Sequence, residues 1–426
     1  MLINPEVFDL GNKIRAVYVP VEGFKTSLIT ISLLVPRENN LAENIILPRY
    51  LTYCSEKYPL PTDLSARCES LYGTVISGSV ARKGESSRVE LSATCIDNRF
   101  AFDGEDIAGS VLELMLELLF NPLASDGRLS EEPFRLQQRL AVERIESEAN
   151  DKRLYALTRM TEIMCENEVF GISREEILEA LKNTDEASAY AAWKTLLKTA
   201  TVQINLIGSF DKEKSLSLIK EKFSTVEREP AENNTLFVEK AEDVTEVCEE
   251  MEINQSKLVL GYRSGMADRN DRMYARQVFT DVFGGGPYSR LFMNVREKLS
   301  LCYYCSARLY REKGLVVIQS GIEKDNKQKV LDEIEKQLEI MRENKFEEAD
   351  FIASKTAICD SLRGVFDSPE GIDAYLNTKI DENIIPMDEV IKNYEAVTRE
   401  EVAECAAEIS LDTVYMLAGK EDGSDE

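Results

Sequence analysis

The sequence contains an internal duplication, and this constrains its fold more than any other feature. Residues 71–100 contain two strand-like stretches separated by Lys83-Gly84, and residues 301–327 contain two more separated by Lys313-Gly314. Glycine in both turns suits the positive φ that tight hairpins require. The chain therefore holds two diverged copies of one unit. After each hairpin the pattern predicts a helix, over residues 107–120 and 328–342.

The two halves also end alike. Residues 175–210 and 388–420 each predict a helix, a threonine N-cap (Thr184 and Thr398), a second helix and an apolar strand that runs into a glycine. We therefore expect an α+β protein with two homologous domains, each a mainly antiparallel sheet covered by helices. The expected segments are an N-terminal domain over residues 1–228, a polar linker over 229–245 and a C-terminal domain over 246–426.

Composition limits the partners and the compartment. Lysine and arginine number 51 against 77 aspartates and glutamates, a net charge of -26, which argues against nucleic acid and anionic membranes as partners. The longest apolar run, residues 28–36, is far too short to span a bilayer, and residues 1–20 show no secretory signal pattern. Nine scattered cysteines are typical of reduced thiols. We expect a cytoplasmic protein.

Cys302 and Cys305 form a C-x-x-C pair in a strand-like, aromatic-rich stretch. In a regular strand, positions i and i+3 point to opposite faces. No second C-x-x-C exists to complete a zinc site. We therefore expect the pair to have no metal or redox role.

Histidine is absent from all 426 residues. Because histidine is the usual general base near neutral pH and the commonest metal ligand, its absence excludes several chemistries. A Ser-His-Asp triad, a Cys-His dyad and a histidine-bearing zinc site are all impossible on this chain.

One segment of the second half carries the most specific motif. Residues 284–309 read GGGPYSRLFMNVREKLSLCYYCSARL, in which three glycines precede S-R-L-F, R-E-K and a strand. This string resembles the C-terminal-domain signature of the pitrilysin/insulinase family, the inverzincin peptidases, in the two-domain form typified by the mitochondrial processing peptidase. The resemblance covers nearly the whole chain, since that family is built from duplicated α+β domains of about this size.

The resemblance implies a peptide-binding role for several residues. Arg296 and Tyr303 match the family's R-x6-Y positions, which bind backbone carbonyls of the peptide beside the zinc. A guanidinium and a phenol supply donors to an oxygen that gains negative charge as the carbonyl is attacked. The glycine loop, Gly284, Gly285 and Gly286, is implied to steer substrate at the chamber mouth. Ser300 stands where the family has glycine and departs from the pattern.

The same resemblance locates a degenerate zinc site. The helix that carries H-x-x-E-H in the family aligns with Ile45, Ile46, Leu47, Pro48 and Arg49. The third ligand position falls on Arg144, or on Glu143 after a shift of one residue. The five aligned side chains cannot coordinate zinc or take a proton, and Pro48 is expected to bend or shorten the helix. We therefore expect no metal or other cofactor on this chain.

A division of labour between two chains is the hypothesis that follows. The chain is expected to be the non-catalytic subunit of a heterodimeric peptidase, contributing Arg296, Tyr303 and the glycine loop while a homologous partner holds the zinc. Substrates would be short or unfolded peptides bound in extended form. Two alternatives stay open: a scaffold without a peptidase partner, and a homodimer that binds peptides without cleaving them.

Overall fold

The computed structural model of the chain describes residues 5–265 and 272–419. The strands are β1 (Glu6–Gly11), β2 (Ile14–Val19), β3 (Thr26–Pro36), β4 (Val75–Lys83), β5 (Ser86–Ile96), β6 (Ala124–Ser125), β7 (Arg128–Leu129), β8 (Thr201–Ile207), β9 (Thr245–Met251), β10 (Ser256–Arg263), β11 (Cys302–Tyr310), β12 (Leu315–Ile322) and β13 (Ser410–Gly419). The helices are α1 (Leu41–Leu51), α2 (Pro61–Ser70), α3 (Ile107–Phe120), α4 (Glu131–Glu148), α5 (Lys152–Met164), α6 (Arg174–Asn183), α7 (Glu186–Thr199), α8 (Lys212–Ser224), α9 (Met273–Gly284), α10 (Lys327–Arg342), α11 (Glu348–Gly364), α12 (Pro369–Asn377), α13 (Met387–Ala396) and α14 (Arg399–Glu408).

The chain folds into two compact units, and each takes one short segment from the other half of the sequence. Unit 1 comprises the residues up to Glu146 with Arg174–Asn234 and Arg363–Met387; unit 2 comprises Ser147–Ser173, Thr235–Leu362 and the residues from Asp388 onward. The units therefore differ from the contiguous domains predicted. Between the end of α8 and the start of β9 the backbone forms neither helix nor strand.

The sheet of unit 1 has the strand order β1-β2-β8-β3-β5-β4. β2 and β8 pair in parallel, and the other neighbours are antiparallel. β3 lies between β5 and β8 and is covered on both faces, so residues 27–35 are all buried, the serines and the threonine among them included. The predicted hairpin is confirmed as β4 and β5, with Gly84 at a φ of 56° in its turn.

The sheet of unit 2 repeats this arrangement with the order β11-β12-β10-β13-β9. Its last pair, β13 and β9, is parallel and the rest are antiparallel. Strand for strand, this is the order β4-β5-β3-β8-β2 of unit 1, including the position of the parallel pair. The mainly antiparallel α+β fold and its duplication are thus confirmed at the level of topology.

Both faces of each sheet are covered by helices. In unit 2 the helix α5 packs Met160 and Met164 onto Val259 and Val317. In unit 1 the helix α12 packs Ile372 and Leu376 onto a cluster of sheet residues: Val17, Val19, Leu28 and Ile207. α5 follows α4 as α12 follows α11, so the two segments taken from the other half are equivalent members of the repeat.

Helix ends agree with the sequence in most places. The structure confirms α3 over Ile107–Phe120 and places α10 at Lys327–Arg342, and Thr398 caps α14 in a capping box. The predicted cap at Thr184 is wrong. Asp185 caps α7 instead, because its carboxylate accepts from the N–H groups of Ala187 and Ser188, whereas the Thr184 hydroxyl donates to Glu43 at 2.6 Å.

None of the helices in the described ranges combines the length and apolar character that a bilayer span needs.

Candidate functional site

The zinc-motif positions lie on α1 and are packed into the core of unit 1. Ile45, Ile46 and Leu47 are buried, as is Pro48, while Arg49 is exposed. The proline does not end the helix at the residue before it, since α1 continues to Leu51. The helix closes where the N–H and hydroxyl of the following threonine, residue 52, both donate to the Pro48 carbonyl, at 3.2 and 2.9 Å.

The backbone of β4 lies directly against this part of α1. A Cβ atom placed on Gly78 would be 2.0 Å from the Pro48 carbonyl oxygen and 2.9 Å from the Arg49 nitrogen. Real atoms do not approach this closely, so the position requires glycine. The backbone of α1 at Pro48 and Arg49 is therefore packed directly against β4.

The side chains at these positions offer no zinc ligand. Isoleucine, leucine and proline side chains have no donor atom, and arginine cannot be deprotonated in proteins. Arg144 is half-buried on α4, and Glu143 is exposed and pairs with Arg139 at 3.8 Å. Cys54, just beyond α1, is buried, and burial raises the pKa of its thiol to about 11. Within the described ranges, no three Cys, Asp or Glu side chains are grouped to hold a metal ion.

The second set of predicted residues lies in unit 2, where the S-R-L-F motif serves packing. Ser289 and Leu291 are buried. Arg290 donates from Nε and Nη2 to the Gln337 side-chain oxygen at 3.0 and 2.7 Å, and pairs with Asp350 at 3.3 Å. These contacts fix the start of the turn that follows.

Arg296 lies on a π-helical turn, Phe292–Lys298. The N–H of the next residue, Leu299, donates to the Asn294 carbonyl at 3.2 Å across five residues. The Arg296 guanidinium lies over the Phe292 ring, 4.5 Å from its centroid, and its Nε is 3.7 Å from Glu297. Single π-helical turns occur often at functional sites.

Ser300 explains the family's preference for glycine at this point. Its φ is 50°, in the left-handed region, where an L-residue with a Cβ is strained by about 1 kcal/mol or more. Its N–H donates to the Arg296 carbonyl at 3.0 Å, which closes the turn before β11 begins. Serine at position 300 therefore adopts the backbone conformation that suits glycine, with some strain.

Tyr303 is the extra residue of a β-bulge. The pairing of β11 with β12 joins Cys302 to Ile322 and Tyr304 to Gly321, with a register shift between them. The Tyr303 side chain is 62% exposed, and its hydroxyl donates to the Glu323 carboxylate at 3.0 Å. This bond raises the pKa of the Tyr303 phenol, which keeps it protonated as a donor.

Arg296 and Tyr303 line one open cleft of about 420 Å³. The other lining residues are Glu297, Ser300, Leu301, Cys302, Glu323 and Asn326. The predicted pair is thus brought together. The lining does not include the three loop glycines. Gly284 instead lets α9 approach β11, since a Cβ there would lie 2.5 Å from the Ala307 nitrogen.

The expectation that Cys302 and Cys305 face opposite sides is wrong. The bulge at Tyr303 shifts the alternation by one residue, so both thiols are buried in the same apolar cluster of unit 2. A hydrogen bond from Cys305, aided by the charge of Arg296, lowers the pKa of the Cys302 thiol, and its bond to Cys302 together with burial raises that of Cys305.

Sequence reasoning missed Glu323 and Asn326 in the cleft. Glu323 directly follows β12 and lies beside the start of β11 because the hairpin pairs Cys302 with Ile322. Counting that register outward from the turn at Gly314 would have found the carboxylate. Asn326 ends a short 3-10 helix, Lys324–Asn326, which follows the strand and has no strand register to count.

The chain is similar to several proteins with known sequences or structures. Residues 185–358 match the family model described as "Peptidase M16 inactive domain". Over 408 residues the chain is 27% identical to the "Probable inactive metalloprotease YmfF" of Bacillus subtilis (strain 168), an alignment that covers 95% of this chain and 96% of that one.

Solved structures share the fold over the whole chain. The crystal structure of a conserved protein from Enterococcus faecalis V583 has a TM-score of 0.89 at 25% identity and covers 99% of this chain and 100% of that one. A structure described as the peptidase M16 inactive domain from Pseudomonas fluorescens has a TM-score of 0.79 at 12% identity, covering 99% and 100%.

Proposed function

We propose that this chain, an inactive metallopeptidase homologue of the M16 family of pitrilysin/insulinase peptidases, is the substrate-binding subunit of a heterodimeric zinc peptidase. A homologous partner with an intact H-x-x-E-H would supply the zinc and the catalytic glutamate. This chain would supply donors to the peptide carbonyl.

One contrast carries the proposal. Each of the five aligned zinc-motif positions is filled by a side chain that cannot hold a metal, and four of them, Ile45 to Pro48, are buried. The cleft of unit 2 nevertheless keeps Arg296 and Tyr303 together, with one side chain on a π-helical turn and the other on a bulge. A chain that had lost all peptidase function would have no need for these two irregular backbone features in one cleft.

The geometry of the cleft suits a peptide carbonyl oxygen. Tyr303 is exposed and already donates to Glu323, so a peptide oxygen can take over a bond that is made in solvent, at little net cost. The Arg296 guanidinium holds its donors in a fixed plane, a geometry that suits hydrogen bonds to a carbonyl oxygen. β11, which carries Tyr303, is an edge strand, so an extended peptide can lie along it.

Co-purification with a zinc-bearing homologue, followed by a peptide-cleavage assay, tests the proposal. Arg296→Ala should lower turnover by the pair on the order of 10²-fold, as removal of a transition-state donor does elsewhere. Tyr303→Phe should also lower turnover, since it removes a single hydroxyl. Neither change should alter assembly, because both side chains lie on an open cleft.

Two neighbours of the cleft give matched controls. Lys298→Ala removes a charge from the same turn, and Tyr304→Phe removes a hydroxyl from the next residue; neither side chain lines the cleft. Both controls should leave turnover unchanged. Cleavage that is equally unaffected by Arg296→Ala and Tyr303→Phe would refute the shared site. Peptide binding by the chain alone, without any cleaving partner, would instead favour a homodimer that captures peptides. A chain that binds neither a peptide nor a zinc-bearing partner would favour a scaffold.

A further inference from the structure

The thiols of Cys302 and Cys305 form a pair at the floor of the cleft. Both cysteines are free and buried, 8% and 3% exposed, and the bulge at Tyr303 turns them to the same side of β11. Cys302 also lines the open cleft, whereas Cys305 lies behind it against Ser320 of the next strand. A small oxidant in the cleft therefore meets Cys302 first, and the second thiol lies behind it in the same buried cluster.

We propose that Cys302 and Cys305 are a peroxide-sensitive dithiol whose oxidation to a disulfide displaces Tyr303 and weakens peptide binding. In the first step the Cys302 thiolate attacks one oxygen of hydrogen peroxide; the O–O bond breaks, water leaves after protonation and a sulfenic acid forms. In the second step the Cys305 sulfur attacks the Cys302 sulfur, the S–O bond breaks and a second water leaves. Two thiols are oxidised and one peroxide is reduced to two waters.

The chemical asymmetry of the pair fits this order of events. The hydrogen bond from Cys305 and the charge of Arg296 both favour the Cys302 thiolate, and it is the thiolate that attacks. Burial and the bond to Cys302 keep Cys305 protonated until the first thiol has been oxidised. The reactive and the resolving sulfur are thus distinguished by position and by charge.

The bridge must deform the strand between the two cysteines. Three residues of extended chain span about 10 Å, whereas the Cα atoms of a disulfide lie within about 7 Å of each other. Closure therefore tightens the bulge, and Tyr303 is a residue of that bulge. Its hydroxyl leaves the position from which it reaches the cleft. Loss of one such bond corresponds to about a tenfold weaker peptide affinity.

The chemistry can be tested without any assumption about function. Trypsin releases both cysteines in the single peptide Leu299–Arg308. After hydrogen peroxide treatment of the folded full-length chain, followed by alkylation, this peptide should lack two hydrogen atoms and carry no alkyl group. Dithiothreitol should reverse the change. Cys248→Ser, which removes an exposed thiol elsewhere, should leave it intact, and Cys305→Ser should abolish it. Two alkylated cysteines in the oxidised wild-type chain would overturn the proposal.

The effect on peptide binding rests on the proposed function and is measured separately on the complex with its zinc-bearing partner. Oxidation should weaken peptide binding about tenfold in the wild type and in Cys248→Ser, with recovery on reduction. A disulfide that forms without any change in affinity would overturn the switch. Complexes that bind no peptide even when reduced would overturn the proposed function, and with it the effect on binding, while the mass measurement still decides the thiol chemistry.

Discussion

Asp373 should make unit 1 less stable as the pH rises through about 6. Its carboxylate lies on α12, is 8% exposed and accepts a hydrogen bond at 2.8 Å from each of Asn205 and Asn377. Burial raises the pKa of this carboxyl from 3.8 to about 6, and the charge of Glu90 acts in the same direction. The Asn205 bond opposes the change without cancelling it.

The sign and size follow from the two pKa values. Because the folded-state pKa is the higher one, the unfolded chain gives up its proton first, and stability present below about pH 4 is lost as the pH rises through about 6. A difference of about 2 pKa units corresponds to about 3 kcal/mol in total. About 2 kcal/mol of this falls between about pH 4.5 and pH 7.5, where the protein is convenient to study.

Urea unfolding followed by tryptophan fluorescence reports on the right part of the molecule. Trp193 is the single tryptophan of the sequence and lies on α7 of unit 1, where its indole N–H donates to the Leu119 carbonyl at 2.8 Å. Asp373→Asn removes the ionisation. The free energy of unfolding of the variant, minus that of the wild type, should rise by about 2 kcal/mol over that pH range.

The difference between variant and wild type isolates this one group. Asp97 and Asp106 have lowered pKa values, so the stabilisation that they give the folded protein is lost as the pH falls. This contribution is the same in the variant and in the wild type. Any constant effect of the new amide on hydrogen bonding also drops out of the slope. Asp367→Asn, at an exposed position before α12, should give a flat difference. A flat difference for Asp373→Asn as well would refute the packing of α12 on this sheet.

Three further outcomes follow from backbone geometry and from the lost motif. Gly78→Ala would place a Cβ 2.0 Å from the Pro48 carbonyl oxygen and should destabilise unit 1 by about 1–3 kcal/mol. Gly23→Ala, where a Cβ has nothing within 4 Å, should be neutral. Tryptophan fluorescence during urea unfolding measures the stability of both variants. Ser300→Gly should raise the thermal midpoint, because it removes a side chain from a φ of 50°, whereas Ser306→Gly within β11 should lower it. The isolated chain should retain no stoichiometric zinc after dialysis, as measured by atomic emission, and zinc that supports cleavage would contradict the placement of residues 45–49.

Local signals predicted local structure well. The glycines at 84 and 314 have the positive φ that their turns need, and α3 begins and ends where its apolar pattern does. A sequence pattern does not identify the capping residue when two suitable residues are adjacent, as Thr184 and Asp185 are. The structure shows that the Asp185 carboxylate accepts from the N–H groups of the helix, whereas the Thr184 hydroxyl donates to Glu43. A cap pattern identifies the turn, not the side chain that fills it.

The sequence could not predict on which sheet α5 and α12 pack. An amphipathic pattern indicates that a helix has a face to bury, but it does not say which sheet receives it. Gly261 predicts that some element packs closely on β10, because glycine inside a strand often marks a close approach. In the structure a Cβ at this position would lie 2.4 Å from the Met164 sulfur. What approaches is a helix from the other half of the sequence, and nothing local to residue 261 names it.

The bulge at Tyr303 shows how one added residue changes the interpretation of a site. With strict alternation from a buried Cys302, Tyr304 would be buried and Cys305 exposed, and the C-x-x-C spacing would have no chemical consequence. Tyr303 is itself the extra residue: it is exposed at the cleft, and its insertion turns Cys305 back into the core beside Cys302. The feature that presents the phenol to a peptide is therefore the same feature that pairs the thiols. A change in one must act on the other, which is why the redox state of the cysteines and the affinity for peptide are expected to vary together.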